Sequence, residues 1–178
     1  MRDKSKIAKL IEELLLELGV DMDEGDVRNT PERVARSLMY LTEGYVAEMP
    51  KVKTFEHEGN QVVHIGGMSF ASLCEHHMLP FIGEADIWYV PDGKVIGLSK
   101  PARILDWLAR RLCIQERLTK QFFDVLWNVL KPKALVVRIK AWHTCSSIRG
   151  VKCADMNIET WHEGGSPIYL KKIKEVIR

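Results

Sequence analysis

Two long apolar-striped segments lie back to back in this chain, residues 101–112 (PARILDWLARRL) and 116–130 (ERLTKQFFDVLWNVL), with strand-like runs before and after them. No other feature narrows the fold as far. Ile104, Leu105, Leu108 and Leu112 recur at helical spacing in the first segment, and Leu118, Phe122, Val125, Leu126 and Val129 in the second. Parallel strands would need a crossover helix at each step, but here the helices come as one consecutive pair. The order of strands, two helices, then strands again predicts an α+β fold on an antiparallel sheet.

The flanks fill in the plan. Ile7, Leu10, Ile11, Leu14 and Leu18 predict a helix over 4–18, stopped by Gly19. The acidic DMDEGD that follows has Asp26, not glycine, at the sixth position of a would-be calcium loop, and reads as a solvated connector. Thr30 is placed to cap a second helix, with Pro31 in its first turn. From about residue 60 the period shortens to that of strands, in QVVHIGG, MSFASLC and EADIWYV, with PDGK as a turn. ALVVRIKAW and DMNIETW are further strands, and SPIYLKKIKEVI is a closing helix. The predicted division is an N-terminal helical region over 1–56 and a mixed domain over 57–178.

Net charge is only +2, so no strong field draws nucleic acid or anionic lipid to the whole surface. No run of 18 apolar residues and no export signal is present, which predicts a cytoplasmic protein without a membrane span. Four cysteines in a chain of 178 residues do not make a disulfide scaffold. In a reducing compartment, cysteines near histidines point to metal or catalysis instead.

The segment SLCEHHMLPF sets Cys74, Glu75, His76 and His77 between apolar flanks. Burying such groups costs free energy unless they find partners. Cys74 and His77 have the Cys-x-x-His spacing of a zinc half-site, and AWHTCSSIRG offers His143 and Cys145 after a strand. Two ligand sets remain open from spacing alone. Cys74, His77, Cys145 and Cys153 would close a structural site, whereas Cys74, His77 and Cys145 would leave a fourth position for water, as catalytic zinc requires. In the second case His76 and His143 become imidazoles available for acid–base work, or groups that orient the ligands. Cys113 reads as a small helix residue.

A cationic set accompanies these groups. VIGLSKPARIL runs from a strand into a helix start carrying Ser99, Lys100 and Arg103, and Arg149 follows Cys145 closely. Helix-start N–H groups and guanidinium groups suit a phosphorylated ligand, although no Walker loop is present. Gln115 and Glu116 open the next helix, where Glu116 either complements the dipole or accepts two hydrogen bonds from a guanine edge.

The blocks CEHHMLPFIGEADIWYVPDGKVIGLSK, RRLCIQERLT and HTCSSIRGV, with NTPERVARSL before them, resemble those of the type I, zinc-dependent GTP cyclohydrolase family. The resemblance runs in order over roughly residues 28–151, well beyond any single motif. It implies the tunnelling fold: a four-stranded antiparallel sheet with two long antiparallel helices on one face, behind an N-terminal helical region. It also implies pentameric rings stacked as a homodecamer, with active sites between subunits. Carried over by position, Cys74, His77 and Cys145 are zinc ligands and His76 and His143 are catalytic. Ser99, Lys100, Arg103 and Arg149 hold the triphosphate, and Gln115 and Glu116 bind guanine. The implied reaction converts GTP and water to 7,8-dihydroneopterin triphosphate and formate, toward folate or another pterin. The stretch GVKCADMNIETWHEGG departs from the family pattern at Cys153, Glu159, Trp161 and His162. The competing expectations are a relative acting on another purine or pterin, a structural zinc interaction module, and a nucleic-acid binder using the basic set.

Overall fold

The computed structural model describes residues 2–177. The chain divides into two compact units, Met1–Glu43 and Gly44–Arg178. In the first, α1 (Lys4–Glu17) packs on α2 (Thr30–Leu41) through the buried Ala8 and Ala35. Asp3 caps α1 by accepting from the Lys6 N–H, and Gly19 takes the positive φ of 78° that ends it. Asn29, not Thr30, is the N-cap of α2, and Thr30 is already helical. Pro31 fixes that first turn without any side-chain cap.

The second unit holds β1 (Thr54–Glu56), β2 (Val63–Cys74), β3 (Pro80–Val90), β4 (Lys94–Ile96), α3 (Ser99–Ala109), β5 (Leu112–Cys113), α4 (Gln115–Leu130), β6 (Ala134–His143), α5 (Thr144–Ser147), β7 (Asn157–Gly165) and α6 (Pro167–Val176). The main sheet runs β5-β2-β3-β6-β7, and β1 with β4 forms a separate ribbon. Four long strands are antiparallel, as expected. The two-residue β5 adds a parallel edge that the sequence did not reveal, and it places Cys113 in the sheet rather than in a helix. QVVHIGG and MSFASLC, which read as two strands, are one strand with a bulge between Ile65 and Met68. Gly67, at φ 69°, supplies the left-handed residue there.

Strand periodicity decides the two faces. Ile87, Tyr89, Leu135, Val137 and Ile139 face α3 and α4 and pack with Ile104, Leu105, Leu118, Phe122 and Leu126. Trp88, Val90, Ala134 and Val136 face the other way, where Ile173 of α6 covers them. The divergent β7 obeys the same alternation. Thr160 and His162 turn toward α4, where the Thr160 hydroxyl lies 2.6 Å from that of Thr119 and His162 meets Phe123 edge-on at 4.5 Å. Trp161 turns to the opposite face and stacks on Trp88 at 6.0 Å. Among the described residues no helix is long and apolar enough to cross a membrane.

On that opposite face Arg138 lies 5.7 Å from the Trp88 ring and 5.6 Å from the Trp161 ring. It donates to Asp86, which is 6% exposed, at 2.8 Å. Burial pushes the Asp86 pKa up, but hydrogen bonds from Arg138 and His64, the Arg138 charge and the Gly67 N–H outweigh it and hold the carboxyl below its ordinary value. A carboxyl depressed in the folded state adds stability above its unfolded pKa and loses it as pH falls through the folded one. The urea midpoint is expected to drop as pH falls through and below the ordinary carboxylate range, and Asp86→Asn to flatten that part of the profile. Arg138→Met, which strands a buried carboxylate, is expected to cost about 2 kcal/mol in urea denaturation at pH 7, less than for a fully buried pair because Arg138 is partly exposed.

Candidate active site

The end of β2 and the start of β3 are joined by a tight turn that gathers the polar cluster. The Cys74 carbonyl accepts from the Met78 N–H at 2.8 Å, and Met78 sits in the left-handed region at φ 54°. A non-glycine residue there is strained, and such strain persists only where the surroundings enforce it. The Cys74 N–H donates to Leu79 and the Glu75 N–H to Cys113, which pins the turn to the sheet from both sides. Arg117 of α4 then grips Glu75 through two hydrogen bonds, at 2.6 and 3.1 Å. Glu75 is therefore a strut between turn and helix, and its carboxyl lies below its ordinary pKa chiefly because of the Arg117 hydrogen bond.

Cys145 reaches this turn from the next strand but one. Thr144 and Cys145 follow β6 directly, and the Thr144 hydroxyl donates to the Pro80 carbonyl at 2.6 Å, tying α5 to the start of β3. The result is one cluster: Cys74 Sγ, a ring nitrogen of His77 and Cys145 Sγ all lie within 4.8 Å of one another. It is the one such group of three or more potential ligands among the described residues. Zinc bonds of about 2.0–2.3 Å in a tetrahedron put ligand atoms roughly 3.5–3.8 Å apart, so the cluster needs only a slight contraction to close on an ion. The donor chemistry fits as well, since two thiols and an imidazole suit a soft divalent metal. Burial, then the neighbouring Cys74, pushes the Cys145 pKa up. A cation between the two sulfurs reverses that penalty. Cys153 is exposed and lies outside this group; its N–H bonds the Ser146 carbonyl at 3.0 Å.

Beside the cluster opens a cavity of about 220 Å³, lined by Cys74, His76, Glu116, His143, Cys145 and Ile158 among others. That is below the roughly 300–1,000 Å³ of sites that enclose a drug-sized ligand, so anything larger than a fragment extends beyond it. His143 stacks face to face on Phe81 with ring centres 4.5 Å apart. Burial lowers its pKa, with Glu116 acting in the opposite direction. Glu116 is exposed at the N-terminal turn of α4 and is one of the residues that line the cavity.

The sequence-predicted residues thus fall into two sets. Cys74, His77 and Cys145 converge, with His76, His143, Gln115 and Glu116 around the adjoining cavity. Ser99, Lys100, Arg103 and Arg149 are not among the residues that line it. Ser99, Arg103 and Arg149 are exposed, and the Lys100 N–H bonds the Gly97 carbonyl at the start of α3. Gln115 is 2% exposed, and its amide is held within the chain. Sequence reasoning missed Cys113, which lines the cavity beside its strand partner Cys74, and the Arg117–Glu75 strut. The register of a two-residue strand has no sequence signal, and an ion pair between residues 42 positions apart has none either.

The family model for GTP cyclohydrolase I matches residues 7–167. The GTP cyclohydrolase 1 of Chlorobium phaeovibrioides is 47% identical over 142 residues, covering 78% of this chain and 64% of that one. That of Alkalilimnicola ehrlichii is 43% identical over 150 residues, 83% of this chain and 81% of that one. The chain thus spans less than two thirds of the length of the Chlorobium relative. Among solved structures, the archaeosine synthase QueF-Like in its apo form superposes with a TM-score of 0.52 at 16% identity, over 61% of this chain and 98% of that one. At that identity the likeness is one of fold, and it is the tunnelling fold.

Proposed function

Because this chain belongs to the GTP cyclohydrolase I family, we propose that it opens the imidazole ring of GTP by hydrolysis, releasing formate and forming 7,8-dihydroneopterin triphosphate in the cytoplasm. The observation that carries the reading is the convergence of Cys74, His77 and Cys145 at the wall of a cavity that also presents Glu116, His76 and His143. Cys74, His77 and Cys145 would hold zinc, and when bound there zinc supplies Lewis acidity and brings the pKa of a water toward about 7.

The chain's own groups divide the remaining work. The Glu116 carboxylate accepts two hydrogen bonds from the guanine N1–H and exocyclic amine, which sets the purine's orientation. His143 gives a proton to N7 of the purine, and the loss of electron density makes C8 open to attack. His76 carries protons during the later opening and reclosure of the ribose. Ser99, Lys100, Arg103 and Arg149 hold the triphosphate. Two features support a site completed by another copy of the chain, in stacked pentameric rings. The cavity is small, and the cationic residues do not line it. The domain over 57–178 contains every residue in this assignment.

The direct test incubates the zinc-loaded protein with GTP and measures formate release together with pterin fluorescence after oxidation. Release of equimolar formate and pterin supports the proposal; zinc-loaded, assembled protein that releases neither sinks it. The Glu75–Arg117 strut yields a separate expectation. Arg117→Ala frees the turn that carries two ligands, and zinc affinity is expected to fall about tenfold in competition with a chromophoric chelator.

A further inference from the structure

Gln115 makes more contacts than a substrate-binding side chain has use for. Its Nε2 lies 3.0 Å from the Ile139 carbonyl, 3.0 Å from the Ile158 carbonyl and 3.1 Å from the Thr160 hydroxyl. Its Oε1 lies 2.9 Å from His143 Nε2. Carbonyl oxygens only accept, so the amide has one orientation: the NH₂ end faces β6 and β7, and the oxygen faces the imidazole. Reversing it would set an oxygen against two carbonyl oxygens. Oε1 likewise only accepts, and His143 Nε2 must therefore carry a hydrogen.

The other ring nitrogen is left for the cavity. Among the described residues none bonds His143 Nδ1, and no buried side-chain nitrogen or oxygen lacks a partner. Nδ1 is thus accessible, in a residue that lines the cavity. Phe81, stacked on the ring face, leaves the imidazole little freedom to turn over.

We propose that Gln115 is a positioning residue that locks His143 as the Nε2–H tautomer and makes Nδ1 the ring nitrogen presented to the substrate. This deepens the proposed reaction and rests on His143 being its proton donor. The Nε2 hydrogen stays bonded to the ring and is donated to the Gln115 oxygen, so Nδ1 is the ring nitrogen presented to the substrate. Gln115 itself need not touch the ligand. Thr160 of the divergent β7 supports the amide from behind and is held in turn by Thr119, whose hydroxyl donates to the backbone carbonyl of Gln115 at 2.8 Å.

Neutron diffraction from deuterated crystals of the zinc-loaded, full-length protein reads the hydrogen directly. A deuteron on His143 Nε2, pointing at Gln115 Oε1, is expected; a bare Nε2 overturns the proposal. This measurement needs no variant, so a folding defect cannot obscure it. In parallel, Gln115→Met keeps the side chain's length and removes both ends of the hydrogen-bond relay. With GTP, kcat is expected to fall at least about tenfold with KM changed by less than about threefold, the pattern of a group acting on the chemical step. A raised KM with unchanged kcat would mean that Gln115 binds substrate instead, and would overturn the proposal. Failure of the wild type to release formate would sink the functional reading, whereas the tautomer is settled by the neutron map alone.

Discussion

Cys145→Ser is expected to abolish formate release from GTP, by at least about 10³-fold, while leaving the fold and its thermal transition close to those of the parent. The size follows from what is removed. Two thiols and one imidazole offer the minimum protein ligand set for a catalytic metal, and a serine hydroxyl is a poor ligand at neutral pH. Cys145 stands after β6 on the four-residue α5 and is only partly buried against the edge of the apolar core, and serine nearly matches cysteine in size, so the exchange leaves no large cavity. The measurement is zinc content per chain by atomic absorption alongside formate release. Loss of both is the expected result. Retained zinc with lost activity would place Cys145 in chemistry rather than ligation. Retained activity would remove the basis of the proposed reaction. Cys153→Ser is the control, because Cys153 lies outside the cluster, and it is expected to keep both zinc and activity.

Complementation between two inactive variants is the second large effect. Cys145→Ser lacks one of the three proposed metal ligands, and the Lys100→Ala/Arg103→Ala double variant lacks two of the cations assigned to the triphosphate. If each site draws its metal from one copy and its phosphate-binding groups from another, mixed assemblies contain some sites with both halves intact. Random mixing in equal amounts makes that share about one quarter in a symmetric oligomer. Co-expressed variants, purified through tags on each, are therefore expected to recover roughly a quarter of the parental activity per site, when either alone shows about a hundredth or less. No recovery in a verified mixed assembly would mean that both halves belong to one copy. The location of Lys100 and Arg103 outside the cavity motivates the experiment.

Much of this was legible in the order of residues, and the reasons are local. Helical spacing through Ile104, Leu105 and Leu108, and through Leu118, Phe122 and Leu126, identified α3 and α4, because an amphipathic helix must turn one stripe to the core. Alternation identified β3 and β6 in the same way, and together these elements determined an α+β fold before any coordinates. The Cys-x-x-His spacing named Cys74 and His77 of the cluster, whereas the position after a strand only made Cys145 a candidate, with Cys153 left open until the family resemblance chose between the two sets. Where the sequence misled, a longer-range interaction was responsible. Gly66–Gly67 looked like a strand end, but pairing with β3 carries β2 through a bulge. Cys113 looked helical beside its leucines, but pairing with Cys74 draws it into the sheet.

The amino-acid order alone determined which elements form and which side chains are chemically fit to hold a metal, since periodicity and donor type are properties of neighbours in the chain. Only the tertiary structure decided which of those side chains meet. Residues 71 positions apart, Cys74 and Cys145, come within one ion's reach because β2, β3 and β6 lie side by side in register. The Gln115 amide turns its oxygen to His143 because carbonyls from β6 and β7 fix the direction of its NH₂ end. Hydrogen bonds between strands are set by register, and register is a property of the folded sheet.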